Sequence, residues 1–297
     1  MKDAFSNYHP IVNLTYFLMV LGCASLLRHP VCLGIALVSS TIYASVLTGK
    51  ENLIRIIKGM LPMSVMIIII NPLVNHQGVT ILGYFRSGNP FTLEACIYGF
   101  AAAAIIWSLV QWFVCWNRIM TTEKLIYLFG RLMPALSLVV SMSLRFVPRY
   151  QRQLHKIMDA QKQLGKFGKG AGVISRLKLS IRVLSIMTTW AIEHAVETAQ
   201  SMKGRGYGLP GRTAFSIYRW QARDTRLFIF ELVLGVSVLI GGIRGSFQWS
   251  WMPIMSSLHI TVENGLIFGS YLMLTLLPAG LNGKEEMEWK KSCESNN

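Results

Sequence analysis

The amino-acid sequence predicts an all-α, polytopic membrane protein. Of its 297 residues, 52% are hydrophobic and only 14% are charged, whereas an average soluble domain carries about 25% charged residues. Its mean hydropathy is +0.43, and several uncharged apolar runs approach the length of about 20 residues that a helix needs to cross the hydrocarbon core. This composition excludes an ordinary soluble domain and an intrinsically disordered chain.

Six apolar runs predict membrane-spanning helices. Only Arg28-His29-Pro30 separates the first run from the second, which predicts a tight helical hairpin. The fourth run has three tryptophans toward one end, as is typical of a membrane interface. The predicted spans are 11–27, 31–49, 60–74, 91–116, 227–243 and 260–281.

The apolar run at 125–144 is interpreted differently, because Gly130, Arg131 and Pro134 divide it and its ends are basic. The positive-inside rule places the basic segments on both sides of this run in the cytoplasm. A single crossing cannot separate two cytoplasmic segments. We therefore expect 125–144 to lie along the cytoplasmic interface or to form a shallow re-entrant piece, with six spans and both termini inside.

Most of the positive charge lies in residues 145–226. This segment holds 16 of the 29 Lys and Arg residues and 4 of the 14 Asp and Glu residues, so it contributes +12 of the net charge of +15. Its spacing predicts two long amphipathic helices on either side of a glycine-rich break at 165–172, the second covering about 174–202. The first helix separates a basic face from an apolar face that includes Leu154, Ile157, Met158, Gln161 and Leu164.

The second predicted helix has a stripe that favours contact with another helix. Alanines at four-residue spacing, Ala191, Ala195 and Ala199, leave room for close approach. The stripe also includes Leu177, Ile181, Leu184, Thr188 and Met202. A solvated loop that only binds anionic lipids is the plainer alternative, but such a loop needs no alanine stripe. The segment has few aromatics and no base-reading module, so we do not expect nucleic acid as a partner.

The second helix is predicted to end at a Gly-Arg-Gly sequence. Gly204 and Gly206 flank Arg205, so a permanently charged guanidinium stands at a helix C-terminus without bulky neighbours. Such a group can make bidentate hydrogen bonds to a carboxylate, or bond backbone carbonyls, in a partner groove. An ordinary glycine C-cap with a favourably placed arginine is the alternative interpretation.

In its context this sequence resembles a motif of a known family. The stretch 190–213, which contains Met202-Lys-Gly-Arg-Gly-Tyr-Gly208, resembles the second Ala-Arg-Gly coupling motif of the T components of energy-coupling factor transporters. Residues 144–149 and 157–165 are similar to the region of the first coupling helix and its motif. His9-Pro10 and Phe91-Thr-Leu-Glu94 also match, so the resemblance extends over most of the chain.

The resemblance implies a non-catalytic membrane scaffold of an importer for a vitamin or a metal ion. Its partners would be two cytoplasmic ABC-type ATPases, a small membrane substrate-binding S component and membrane lipids. ATP-driven movement would pass through the coupling helices to the S component. The implied organisation is transmembrane helices in 1–124, a coupling-helix region in 125–226, transmembrane helices in 227–283 and a cytoplasmic tail in 284–297 of a prokaryotic cell-membrane protein.

The resemblance also implies where the ATPases bind. In the second motif the residues are Gly204, Arg205 and Gly206, with glycine where alanine is usual. In the first motif the aligned residues are Gln163, Leu164 and Gly165, so the arginine is absent and the two ATPase contacts are expected to differ. Ala191, Ala195 and Ala199 are the residues expected to pack the coupling helices.

The chain itself shows no catalytic motif. It has no P-loop, no His-Glu-x-x-His helix and no Gly-x-Ser-x-Gly elbow, so ATP hydrolysis is expected in the partners and no cofactor or metal is predicted. Glu193, His194 and Glu197 lie within about one helical turn, which favours salt bridges over a metal site. The alternative function is a secondary carrier or intramembrane enzyme that uses Glu94, Glu231 and Glu263, although their positions near span ends favour a structural role.

Overall fold

The computed structural model describes residues 3–84, 90–164, 173–207, 209, 218–247, 249–251 and 261–295. Within these ranges the chain forms nine α-helices and one short antiparallel hairpin, with a 3-10 turn at Phe5–Asn7. The helices are α1 (Pro10–Leu26), α2 (Pro30–Thr48), α3 (Lys50–Val74), α4 (Leu93–Ile119), α5 (Thr122–Leu132), α6 (Pro134–Gln163), α7 (Val173–Gly204), α8 (Ala222–Ile243) and α9 (Val262–Ser295). The hairpin pairs β1 (Ile81–Tyr84) with β2 (Pro90–Thr92).

The chain divides into two compact units. The first unit comprises Met1–Leu125 together with Tyr218–Asn297, and the second comprises Ile126–Ile217. The chain therefore passes from the first unit to the second after Leu125 and returns at Tyr218. Among the described residues, the helices that are long and apolar enough to cross a membrane all lie in the first unit.

Five helices in the described part of the chain meet the length and hydropathy of a membrane span: α2, α3, α4, α8 and α9. Helix α1 is apolar but has only 17 residues. The all-α, polytopic membrane class predicted from the sequence is therefore confirmed. Two helices extend ten or more residues beyond the predicted spans: α3 begins ten residues earlier, at Lys50, and α9 continues to Ser295. Ion pairs from Lys284 to Glu288 and from Lys290 to Glu286 support that last extension.

The predicted helical hairpin forms from two similar helix starts. His29 caps α2 by accepting a hydrogen bond from the Val31 amide at 3.3 Å, and Pro30 occupies the first helical position, where its missing N–H costs nothing. The N-terminus of α1 repeats this arrangement with His9, Pro10 and the Ile11 amide. Each His-Pro pair therefore fixes the first residue of an apolar helix.

The core of the first unit is built around Trp112 on α4, whose side chain is fully buried. The rings of Tyr16 and Phe17 on α1 and of Tyr43 on α2 lie between 6.1 and 6.5 Å from the Trp112 ring. One residue earlier, Gln111 accepts hydrogen bonds from the hydroxyls of Ser40 at 2.7 Å and Thr41 at 3.0 Å. Aromatic packing and buried hydrogen bonds thus join α1, α2 and α4.

The run at 125–144 is split between two helices. Helix α5 ends at Leu132, and α6 begins with Pro134 and continues through the basic segment to Gln163. Pro134 occupies a first-turn position, where proline is tolerated. The first of the two predicted amphipathic helices is therefore longer than the sequence indicated. The glycine-rich break at 165–172 lies outside the described residues.

Helices α6 and α7 pack on each other within the second unit through one face of each. On α6 this face includes the buried Ile157 and Gln161, and on α7 it includes the buried Leu179 and Val183. At the crossing the rings of Tyr150 and Trp190 meet edge to face at 5.4 Å. The predicted α7 stripe is a different face, because Leu177, Ile181 and Leu184 are exposed.

Candidate functional site

The C-terminus of α7 is a complete Schellman motif. The Tyr207 amide donates to the Met202 carbonyl at 3.0 Å, and the Gly206 amide donates to the Lys203 carbonyl at 3.0 Å. These are the two hydrogen bonds that define the motif, with Gly206 at its left-handed position (φ 72°). Arg205 is therefore the C-cap residue, and its amide donates to the Ser201 and Met202 carbonyls, both at 3.1 Å.

The two glycines of this motif have different surroundings. A Cβ at Gly204 would meet no atom within 4 Å, so alanine fits there. A Cβ at Gly206 would lie 3.1 Å from Leu209 Cδ1 on a backbone with positive φ, which L-residues with side chains adopt at a cost. The replacement of the usual alanine by Gly204 is thus sterically mild, whereas Gly206 is required by the turn.

Arg205 is exposed at this helix end and is followed in the chain by two exposed side chains with apolar surface. Tyr207 and Leu209 are both solvent-exposed, and Lys203 adds a second positive charge to the last turn. A guanidinium beside an aromatic ring and a leucine can bond acceptors and bury apolar surface in one contact. We call Arg205, Tyr207 and Leu209 the α7 tip.

The end of α6 presents a different surface. Gln163 is the last helical residue, and Leu164 is the C-cap, whose amide donates to the Ala160 carbonyl at 3.2 Å. The Leu164 side chain is 65% exposed, so it presents an apolar group where the second motif has an arginine. Lys162 pairs with Asp159 at 3.1 Å on the surface. Gly165 lies outside the described residues.

The structure places the predicted packing alanines at the edge of the α6–α7 contact. Ala191 is half-buried, whereas Ala195 and Ala199 are exposed. Ala195 also lines a small cleft with Tyr150 and Trp190, beside the crossing of the two helices. The exposed leucines and isoleucine of the stripe continue this surface toward the N-terminus of α7. The described residues thus leave an apolar face of α7 uncovered.

The three carboxylates considered for an alternative chemistry have three different environments. Glu94 is buried at the start of α4 and accepts a hydrogen bond from the Thr80 amide at 3.0 Å. Glu263 lies in the first turn of α9 and pairs with Arg244 at 3.0 Å on the surface. Glu231 is fully buried at the tenth position of α8. The prediction that all three carboxylates lie near span ends with access to the interface is therefore wrong for Glu231.

Of the three residues Glu193, His194 and Glu197, the last two form a pair on the surface of α7. His194 Nδ1 lies 3.0 Å from Glu197 Oε2, and the His194 ring also meets the Trp190 ring edge to face at 4.5 Å. The imidazole is therefore held in place at the helix crossing by the carboxylate and by the indole. This pairing is the salt-bridge interpretation predicted from the spacing.

Sequence reasoning missed a polar cluster at the end of the first unit where the N-terminal segment lies. Lys124, which is only 4% exposed, donates a hydrogen bond to the Ser6 carbonyl at 2.7 Å. Asp224, at 1% exposure, accepts from the His9 amide at 3.3 Å. Each residue stands beside another charge in the sequence, Lys124 after Glu123 and Asp224 after Arg223, so the local pattern does not distinguish it from the basic cytoplasmic segments around it.

These features define an all-α, multi-pass membrane protein with a separate unit built on two long amphipathic helices that end in exposed tips. No family model matches the chain. It is 34% identical over 113 residues to the energy-coupling factor transporter transmembrane protein EcfT of Exiguobacterium sibiricum. This match covers 38% of this chain and 42% of that protein.

The proteins of the same name from Streptococcus equi and Bacillus subtilis are 36% identical over 103 residues and 35% identical over 100 residues. These matches cover 34% and 33% of this chain and 38% of each relative. The chain thus matches about two fifths of the length of its relatives, and the predicted resemblance to this family is confirmed over about a third of the chain.

Proposed function

We propose that this chain is the membrane scaffold, or T component, of an energy-coupling factor importer that takes up a vitamin or a metal ion. The observation that supports this most directly is the exposed Arg205 at the tip of a 32-residue helix, in a chain similar to EcfT proteins over about a third of its length. In this proposal the chain hydrolyses nothing, and two ABC-type ATPases supply the energy.

The α7 tip is the proposed contact for one ATPase. Its guanidinium would form bidentate hydrogen bonds with a carboxylate or backbone carbonyls in an ATPase groove, and Tyr207 and Leu209 would bury apolar surface around them. Gln163 and Leu164 at the end of α6, with Gly165, are the proposed contact for the second ATPase. That contact is apolar because Leu164 replaces the arginine, so the two ATPases would be held unequally.

The uncovered apolar face of α7 is the proposed contact for the S component. Exposed leucine and isoleucine side chains on a long amphipathic helix need a partner, because an apolar face of this kind is unfavourable in water. Ala195 and Ala199 would let a partner helix approach closely along the same face. A movement of the ATPases would then shift the helix against the S component.

The orientation follows from the positive-inside rule. The C-terminus of α2 and the N-terminus of α3 are joined directly at Gly49, and the first turns of α3 contain Lys50, Arg55 and Lys58. We propose that this end of the first unit faces the cytoplasm, together with both termini. The second unit, which contains most of the excess positive charge, is also proposed to be cytoplasmic.

The test of the proposed function is affinity capture of the tagged chain from detergent-solubilised membranes of its own cell, followed by mass spectrometry. The proposal predicts two ATPase polypeptides or two copies of one, and a small hydrophobic membrane protein that identifies the cargo class. Recovery of the chain alone, in a preparation that remains monodisperse, would overturn the proposal.

The second ATPase contact has its own test in Leu164→Glu. Placing a carboxylate at an apolar contact is expected to weaken ATPase association at that site by about 2 kcal/mol or more. Met287→Glu is the matched control, because Met287 is also exposed but lies on α9, away from both proposed ATPase contacts. Equal ATPase recovery with Leu164→Glu and with the unmodified chain would remove Leu164 from the interface.

A further inference from the structure

The N-terminal segment, residues 3–9, is bound to several helices of the first unit at once. The Ala4 amide donates to Asn282 Oδ1 on α9 at 2.7 Å, and Tyr43 on α2 donates to the Asp3 carboxylate at 3.3 Å. Asn282 also donates to Asp3. Phe5 is fully buried against the rings of Tyr16 and Phe17 on α1. The segment is therefore an integrated part of the helical core.

The same segment holds the point where the chain leaves the first unit. The first stretch of this unit ends at Leu125, and Lys124 is the residue before it. The Lys124 ammonium donates to the Ser6 carbonyl at 2.7 Å. With the Asn13 amide turned so that its oxygen faces the lysine, the Lys124 ammonium also donates to Asn13 at 2.8 Å, and the Asn13 nitrogen donates to the Phe5 carbonyl at 3.0 Å. Nearby, Asp3 supplies the opposite charge.

The segment also holds the point where the chain returns. Asp224 accepts from the His9 amide at 3.3 Å through one oxygen and from the Gln221 amide at 2.8 Å through the other, which completes the capping box of α8. Arg223 donates to the Asn7 carbonyl at 3.1 Å, and its guanidinium lies 5.2 Å from the centre of the Tyr8 ring. The His9 and Trp220 rings are 4.9 Å apart.

We propose that Lys124 and Asp224 are positioning residues. Each binds one of the two places where the first unit joins the second to the N-terminal segment, residues 3–9. Movement of the coupling helices α6 and α7 is then transmitted to the membrane helices and is not lost in the connections. This inference rests on the proposed function. Each residue acts through the backbone of residues 6–9, Lys124 through the Ser6 carbonyl and Asp224 through the His9 amide.

Charge and burial explain why these two residues suit the task. A buried ammonium and a buried carboxylate are costly unless hydrogen-bonded, so each favours one geometry strongly over alternatives that leave it unpaired. The acceptors of Lys124 are carbonyl oxygens at fixed places, and both oxygens of Asp224 are occupied by backbone amides. The chain on either side of the second unit is thus held, at Lys124 and at Asp224, against residues 6–9 of the first unit.

The test uses the complete importer, reconstituted in liposomes with its ATPases and S component, and measures substrate uptake and ATP hydrolysis in the same vesicles. Lys124→Met removes the donor while filling a similar volume, and Asp224→Asn replaces one acceptor oxygen by a donor group. Each variant is expected to lower uptake per ATP hydrolysed about five-fold or more, while hydrolysis stays within about two-fold of the unmodified complex. The double variant is expected to fall little further, because both changes release the same segment.

Two control variants and a measurement of the assembled complex separate positioning from loss of folding. Lys284→Met makes the same substitution at an exposed lysine of α9 and is expected to leave the ratio of uptake to ATP hydrolysis unchanged. Lys124→Arg keeps a charge and hydrogen-bond donors and is expected to restore most of the ratio. A purely structural defect would lower uptake and hydrolysis together, in proportion to the amount of assembled complex measured by gel filtration.

The possible failures are distinct. If the unmodified chain captures no ATPases, the proposed function is overturned and this inference with it. If the unmodified importer transports normally and both Lys124→Met and Asp224→Asn keep its ratio of uptake to hydrolysis, only the positioning role is overturned.

Discussion

Thr15 on α1 donates a 2.6 Å hydrogen bond to Glu231 on α8, in the middle of the first unit. The second Glu231 oxygen has no hydrogen-bond partner among the described residues, although the side chain is fully buried. One turn further along both helices, Gly235 lies against Met19, and its missing Cβ lets the two helices approach. Thr15 and Glu231 therefore form the polar centre of a close α1–α8 contact.

Thr15→Val is expected to destabilise the protein by about 1 to 3 kcal/mol, because it removes the hydrogen bond that Thr15 donates to the buried Glu231 carboxyl. Thermal unfolding in detergent would measure the change. Thr188→Val is the matched control, since the Thr188 hydroxyl bonds the Leu184 carbonyl of its own helix on an exposed face. Equal unfolding temperatures for Thr15→Val and Thr188→Val would show that the Thr15–Glu231 bond adds nothing to stability.

Glu231→Gln distinguishes the scaffold from a carrier that uses a membrane carboxylate. Glutamine keeps the size and the acceptor oxygen for Thr15 but cannot ionise, so a scaffold is expected to retain uptake within about two-fold, whereas loss of an essential proton-transfer group costs about 100-fold or more. Uptake measured with the reconstituted importer decides between them. A loss on the larger scale, with normal assembly, would favour the carrier interpretation.

The sequence predicted the membrane class, the hairpin at His29-Pro30 and the helix end at Gly204, because apolar runs and Pro or Gly signals are local. It did not predict that α3 begins at Lys50 or that α9 reaches Ser295. Charged residues at a span end continue a helix readily when they are strong helix formers, and hydropathy does not record this.

Local sequence patterns do not predict whether an individual charged side chain is buried or exposed. Glu231 and Glu263 are both carboxylates near the start of an apolar run, yet the first is buried and the second pairs with Arg244 on the surface. The α7 stripe was recognised, but α6 covers the neighbouring face through Leu179 and Val183 instead. The spacing of apolar residues shows that a helix is amphipathic. It does not show which face meets a given neighbour, because that depends on tertiary packing.

Helix α8 meets α9 at a glycine that a side chain would disturb. A Cβ at Gly241 would lie 2.7 Å from Ile267 Cγ2, a branched side chain with little freedom to move. Gly241→Ala is therefore expected to destabilise the protein by about 1 to 3 kcal/mol. Gly269→Ala on α9 is the control, because a Cβ there meets nothing within 4 Å. A comparison of their unfolding temperatures in detergent tests this contact, and equal values would contradict it.

The glycines of the α7 tip are expected to respond differently to alanine. Gly204→Ala fits the open space around it and should preserve both helix stability and ATPase binding. Gly206→Ala puts a side chain on a left-handed backbone against Leu209, at a cost of about 1 to 2 kcal/mol, and should misplace Arg205. ATPase recovery by affinity capture measures both variants. Equal recovery from the two would mean that the left-handed turn is not needed for binding.

Lys124 should give the protein a specific pH dependence. Burial lowers the pKa of Lys124 from 10.5 to about 8, against the opposing effect of the Asp3 carboxylate. Between these values the unfolded chain binds more protons than the folded one, so this lysine makes the free energy of unfolding rise with pH. The stability of the unmodified chain relative to Lys124→Met is expected to increase by about 1 to 3 kcal/mol from pH 7 to pH 10. Thermal unfolding of both proteins checks this, and a difference that stays constant or falls would contradict it.

The measurement that tests the central claim most directly is ATPase binding by Arg205→Glu in purified complexes. Reversal of the charge at the α7 tip is expected to weaken the association by about 2 to 4 kcal/mol, or about 30- to 1,000-fold. Arg176→Glu makes the same change near the N-terminus of the same helix and should bind normally. Undiminished binding by Arg205→Glu, in a chain that folds and captures its S component, would contradict the proposal that Arg205 links this scaffold to its ATPase.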